Sequence, residues 1–288
     1  MTRAIEATAR PRGVLVLVAA ALGLGLLTAC SAGSSASATP DEPTPHGWAH
    51  VHNLVVDGNR VLLGTHEGLW EMTSGQDPTL VSRDAFDVMG LTRDGTRWLA
   101  SGHPGTGMTG PADLGLLESV DDGRTWRPVS LMGSVDFHRL AAAGPIIIGV
   151  SAHDGALLRS TDHGLTWTDM GAPPVFDIAI DPANGTTVLA TTEDGPVRSV
   201  DGGVTFAPIA GAPLLALLAW TDPTAVGVDV SGQVYRSADG GGSWTSIGSV
   251  GGQPSAIAAS GTTVAVLVGD ALLVSTDEGL TFTDPPHD

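Results

Sequence analysis

Residues 160–167 read STDHGLTW, with Ser160, Asp162, Gly164, Thr166 and Trp167 at offsets 0, 2, 4, 6 and 7. The pattern returns as SVDDGRTW from Ser119, SVDGGVTF from Ser199, SADGGGSW from Ser237 and STDEGLTF from Ser275. Its aspartates, Asp121, Asp162, Asp201, Asp239 and Asp277, stand 41, 39, 38 and 38 residues apart. A near-constant period of about 40 residues marks an architecture in which one supersecondary unit is copied along the chain.

Working outward from each copy, short Val/Ile/Leu/Ala runs alternate with Gly, Asp-Gly or Pro turns, the pattern of strands joined by hairpins. Residues 187–206, TVLATTEDGPVRSVDGGVTF, give a strand, a turn, a strand and then the Ser-x-Asp turn. Two earlier segments extend the series. Residues 98–126 are the same unit with a longer middle loop. Residues 61–72, VLLGTHEGLWEM, match as far as the turn, where Met72 stands in place of Ser119 and the turn has decayed to TSGQDP. That makes six units between Trp48 and Asp288. Six units of about four strands each predict an all-β chain, a six-bladed β-propeller.

The repeated turn resembles the BNR or Asp-box repeat of sialidase-like propellers and other secreted glycan-associated proteins. The resemblance implies that each box is the hairpin between the third and fourth strands of a blade. There its Asp and Ser/Thr satisfy turn backbone groups, its Gly permits positive φ, and its aromatic residue packs between sheets. On that reading the five aspartates are structural.

The N-terminus has a different character. Arg3, Arg10 and Arg12 precede an apolar run from Val14 to Leu27, too short for a stable bilayer span, and the run ends in LTAC at Cys30. This resembles a bacterial lipoprotein signal, in which the cysteine is acylated and becomes the mature N-terminus. Cys30 is the only cysteine of the chain, which excludes an intrachain disulfide. The expected organisation is a signal peptide at 1–29, the lipidated Cys30 with a Ser/Ala/Thr/Pro-rich tether to residue 46, and the propeller at 47–288. The expected location is the outer face of the cytoplasmic membrane or the cell envelope.

The chain carries 13 Lys and Arg against 31 Asp and Glu, for a net charge of −18, and all 13 bases are arginine. Such a surface argues against nucleic acid as a partner.

In a propeller blade the start of the first strand and the end of the second share one face, and the Asp-box lies on the other. Aligning the first strands puts His52, Met89, His138, Phe176, Leu217 and Ser255 in one column. Aligning the ends of the second strands adds His66, His103 and His153, with His50 two residues before His52. Six of nine histidines therefore gather on the upper rim of blades one to three, with Met108 and Met132 nearby. Imidazole and thioether together suit copper or zinc. Asp87, Asp136, Glu67 and Asp154 stand where carboxylates could orient those imidazoles. The pattern predicts that His52, His66, His103 and His138 act together on one metal or one ligand. The competing reading of the same residues is a wet, polar channel mouth.

The sialidase resemblance also implies an arginine cluster, a tyrosine nucleophile with a glutamate, and an aspartic acid. Here the single tyrosine, Tyr235, lies on a third strand beside a box, and only Arg139 neighbours the rim. A glycosidase working through two carboxyl groups among Asp87, Asp136 and Asp177 stays open as an alternative. So does a scaffold that docks another envelope protein. The expected ligand of the rim is thus a metal ion, a glycan or a protein.

Overall fold

The structure is a computed structural model that describes residues 48, 50–74, 76–171, 174–221 and 223–284. The signal segment, Cys30 and the tether lie outside the described residues. Among the described residues there are 23 strands and no helix.

The strands form six antiparallel sheets arranged as a β-propeller, each blade built from consecutive strands. Blade one holds β1 (Val51–Asp57), β2 (Arg60–Thr65), β3 (Gly68–Thr73) and β4 (Thr79–Leu80). Blade two holds β5 (Asp87–Asp94), β6 (Arg97–His103), β7 (Leu116–Ser119) and β8 (Arg127–Ser130). In blade three these are β9 (Phe137–Ala143), β10 (Ile146–Ser151), β11 (Leu157–Ser160) and β12 (Thr168–Asp169). Blade four has β13 (Asp177–Ile180), β14 (Val188–Thr192), β15 (Gly195–Ser199) and β16 (Ala207–Pro208). Blade five has β17 (Leu215–Thr221), β18 (Thr224–Asp229), β19 (Gln233–Ser237) and β20 (Thr245–Ser249). Blade six has β21 (Pro254–Ser260), β22 (Thr263–Val268) and β23 (Ala271–Ser275), with a lone bridge from Val274 to Thr283 where a fourth strand would run. The first strands touch in sequence around the channel, and β21 returns to β1 to close the ring.

The hydrophobic pattern explains this layering. Second strands such as Ile146–Ser151 and Thr263–Val268 are buried on both faces, because each is sandwiched between its own blade's neighbours and the adjacent blades. They therefore read as continuous apolar runs, without the alternation of a half-exposed strand. The buried clusters confirm the sandwiching: Leu62 and Leu69 of blade one pack with Phe86, Val88 and Trp98 of blade two. Ile148 and Leu157 of blade three pack with Ile178 and Val188 of blade four.

Four of the five repeated turns join third to fourth strands, as the resemblance implies, and the fifth leads from β23 to the bridge at Thr283. In all five, the Ser hydroxyl donates to the Asp carboxylate at 2.7–2.8 Å and accepts from the Gly N–H at 2.8–2.9 Å. The second carboxylate oxygen takes the Thr or Ser hydroxyl at 2.6–2.7 Å. These donors hold the carboxyls of Asp121, Asp162, Asp239 and Asp277 down to about 2, the Thr125, Thr166 and Thr281 hydroxyls and the Ser243 N–H contributing most. Thr205 lowers Asp201 likewise.

A second role emerges from the fourth residue of each turn, whose φ is left-handed throughout: 67° at Asp122, 62° at His163, 74° at Gly202, 67° at Gly240 and 61° at Glu278. Each of these residues accepts from an arginine of the preceding blade. Arg60 reaches Asp122 at 2.7 Å, Arg97 the His163 carbonyl at 3.2 Å, and Arg159 the Gly202 carbonyl at 2.6 Å. Arg198 reaches the Gly240 carbonyl at 2.7 Å, and Arg236 pairs with Glu278 at 2.6 Å. The turns thus clamp neighbouring blades as well as their own.

At the six–one seam blade one has lost its turn, and Val274 stands in β23 where β11, β15 and β19 carry Arg159, Arg198 and Arg236. A cavity of about 420 Å³ opens there, lined by Val61, Met72, Val274, Thr263, Thr281 and Thr283. Apolar packing of Trp48, Leu54, Val56 and Leu63 against Ala256, Ala258 and Leu267 holds this seam together.

Candidate metal centres on the upper rim

The first strands do not run smoothly to the rim. Pairing slips by one residue at His52 in β1, at Met89 in β5, at His138 in β9 and at Ser255 in β21. A bulge leaves one residue outside the ladder and re-aims its side chain. In these four blades the aligned column is therefore a column of bulges, whereas in blade four Phe176 precedes the regularly paired β13. The bulge is displaced by one in blade five, where Ala216 bulges and Leu217 pairs with Val228 and is buried.

Two groups form on this rim, each across a seam. In the first, His52 at the β1 bulge and His66, just past β2, face Asp87, the first residue of β5 in the next blade. His52 Nε2 lies 3.3 Å from Asp87 Oδ1, and His66 Nδ1 lies 2.8 Å from Asp87 Oδ2. The two imidazole nitrogens are 3.4 Å apart. The His50 ring stacks edge-on against His66, centroid to centroid 5.1 Å. Burial works to raise the Asp87 carboxyl, but the two imidazoles outweigh it, so its pKa falls below the ordinary value and it is ionised.

In the second group, His103 ends β6 of blade two, while Asp136 and the bulged His138 belong to blade three. Asp136 is fully buried, and its Oδ2 lies 3.2 Å from His103 Nε2 and 2.9 Å from His138 Nε2. Its Oδ1 faces Ser101 Oγ at 3.4 Å, and Ser101 in turn accepts the Phe137 N–H. In each group the three donor atoms lie within 4.8 Å of one another. Donors bound at 2.0–2.1 Å to a tetrahedral zinc are separated by about 3.3 Å. Among the described residues, no hydrogen bond is made to Asp87 Oδ1 or Asp136 Oδ2, although both atoms are buried.

The third seam supplies an internal comparison. Asp177, the first residue of β13, is buried there against Arg139 of blade three, Nε to Oδ1 3.1 Å, and accepts the Leu218 N–H of blade five at 2.7 Å. Burial raises the Asp177 carboxyl, and Arg139 pulls the other way. A permanent cation thus balances this rim carboxylate, whereas imidazole pairs face the carboxylates of the first two seams. Just inside the rim Asn53 donates to the Met89 and His138 carbonyls at 2.6 and 3.1 Å. A cavity of about 510 Å³ occupies the channel.

The four histidines expected to act on one metal or one ligand fall into two groups of coordinating reach. His52 and His66 belong to one group, His103 and His138 to another, because the ligand atoms converge across different seams. Asp87 and Asp136 belong to the groups themselves and do not stand behind them. Each group holds two imidazoles and a carboxylate. Glu67 is turned to Thr65, and Asp154 to the Ala156 N–H in its own loop. His153 pairs with Asp113 at 3.0 Å, which raises the His153 pKa. Asp113 escapes a repeat-based reading, since it lies in the loop that only blade two carries. The glycosidase alternative finds Asp177 taken up by Arg139, and Asp87 and Asp136 each faced by two imidazoles.

No protein-family model matches the chain, and no curated protein matches it. Solved structures do. One is a chain of a nidogen/laminin complex, at 12% identity and a TM-score of 0.62, covering 80% of this chain and 93% of that one. Another is the GH74 xyloglucanase of Xanthomonas campestris, at 18% identity and 0.56, covering 83% of this chain and 45% of that one. A third is YCF48 bound to a D1 peptide, at 20% identity and 0.52, covering 82% of each. At these identities the likeness shows the fold alone.

Proposed function

We propose that this chain is an exported, lipid-anchored propeller of the Asp-box type that binds a divalent transition metal ion on its upper rim, at one or both of the two seam groups. The observation that carries the reading is the Asp136 carboxylate. Its Oδ2 is buried, has two imidazole nitrogens within 3.2 Å, and receives no hydrogen bond. A buried carboxylate oxygen without a donor is costly unless a cation satisfies it. The third seam meets that need with Arg139. Two imidazoles and a carboxylate meet it with a metal ion. A nitrogen and oxygen donor set without sulfur favours zinc over the reduced copper ion.

The test is metal analysis of untagged protein, followed by calorimetric titration with zinc. Asp136→Asn should remove the blade two–three site and His52→Ala the blade one–two site, each independently, while Met89→Ala should be silent. A wild type that holds no zinc above background, and whose melting point does not move on adding zinc, overturns the reading.

A further inference from the structure

Five of the six blades join second to third strands through short connections, whereas blade two spends residues 104–115 on it. The far end of that loop is strapped down on both sides. The Leu114 N–H donates to the Gly102 carbonyl of β6 at 2.9 Å, and the Gly115 N–H to the Val135 carbonyl ahead of blade three at 3.1 Å. The Asp113 carbonyl takes the Gly133 N–H at 2.7 Å, and the Asp113 carboxylate holds His153 of blade three at 3.0 Å. Between these anchors the Ala112 carbonyl sits 3.0 Å from His103 Nδ1.

A carbonyl oxygen can only accept, so Nδ1 must carry the proton. A neutral His103 then presents a bare lone pair at Nε2, 3.2 Å from the undonated Oδ2 of Asp136. An imidazole that donates one N–H to a carbonyl and offers the other nitrogen outward is oriented as metal-bound histidines are.

We propose that the blade-two loop is a positioning device that fixes His103 in the Nδ1–H form, with Asp113 and His153 as its positioning residues. The inference rests on the metal reading for its purpose, but the protonation pattern can be observed without any metal. The experiment measures the two ring nitrogens of His103 by long-range ¹⁵N–¹H NMR in metal-free protein at neutral pH, and zinc affinity in parallel. The wild type should show Nδ1–H alone. Asp113→Asn and His153→Ala should give mixed forms and weaken zinc at the blade two–three site by about 10–100-fold, the usual cost of losing an outer partner. His153→Gln, which keeps a donor towards Asp113, should recover most of the loss, and the blade one–two site should not respond. A wild-type His103 protonated on Nε2, or on both nitrogens, overturns the proposal. So does an unchanged Nδ1–H form in both variants. If wild-type protein shows Nδ1–H that the variants lose, yet binds no zinc, the positioning stands and the metal reading falls.

Discussion

Three glycines with the same backbone angle separate the two demands that the repeated turn makes on its central residue. Gly107, Gly203 and Gly241 all have φ +86°. A Cβ added at Gly107, in the blade-two loop, would meet nothing within 4 Å. At Gly203 it would come to 2.8 Å from the Ile148 Cδ1 of the preceding blade. At Gly241 it would meet Leu189 of the preceding blade at Cδ2 2.3 Å, Cδ1 2.9 Å and Cγ 3.1 Å, so the whole leucine has to move. A left-handed L residue costs about 1–2 kcal/mol, offset by about 0.4–1 kcal/mol of entropy lost from the unfolded chain. Gly107→Ala should therefore cost about 0.5–1 kcal/mol. Overpacking adds about 1–3 kcal/mol, with Gly203 near the low end because only the tip of Ile148 must yield, and Gly241 near the high end. In a domain of this size 1 kcal/mol moves Tm by about 2–4 °C. Scanning calorimetry should then give Tm losses of about 2, 5 and 10 °C in that order. Leu189→Ala should be strongly non-additive with Gly241→Ala, since it vacates the space that the added methyl needs. Equal losses for all three alanines would refute the idea that the turn is seated on the neighbouring blade and leave only the backbone angle.

The turn aspartates make stability acid-sensitive. Their carboxyls titrate near 2 in the fold against 3.8 ordinarily, so their contribution is complete above about pH 4 and is lost as pH falls towards 2. Tm measured from pH 5 to 2 should drop steeply over that window, and a flat profile there contradicts the hydrogen-bond assignment. Arg139→Met should cost about 3–5 kcal/mol in denaturant titration by leaving Asp177 buried without its cation, and adding Asp177→Asn should restore much of it. If the single variant is neutral, the ion pair does not balance the buried charge. Cys30→Ser should shift the protein from the membrane to the soluble fraction with an unchanged Tm, and continued membrane retention after normal signal cleavage counts against lipid anchoring.

The turns could be read from sequence because every contact that defines them falls within seven residues, from Ser160 to Trp167 for example. The first strands were legible as a column for the same reason, and Asp136-x-His138 put a carboxylate beside an imidazole in plain view. Seams were not legible. That Asp87 serves His52 and His66 of the blade before it follows from blade packing, which a linear spacing of 14 residues between the two histidines does not encode. The bulges were invisible too, since a one-residue slip leaves no mark on composition, which is why Leu217 was aligned where Ala216 bulges. Asp113 lies in an insertion and had no counterpart to align with.

The six–one seam has a dynamic consequence. Among the described residues, five junctions are riveted by an arginine in a neighbour's turn, and the sixth carries valine at that position and packs through apolar side chains. Local opening starts where directional bonds are fewest. Amide exchange should therefore report the first breathing along Thr263–Val268 of β22 and Arg60–Thr65 of β2, with the rim between blades one and three still shut. A protein that relaxes at one seam and holds its imidazoles at two others can yield to strain without disturbing the two rim groups.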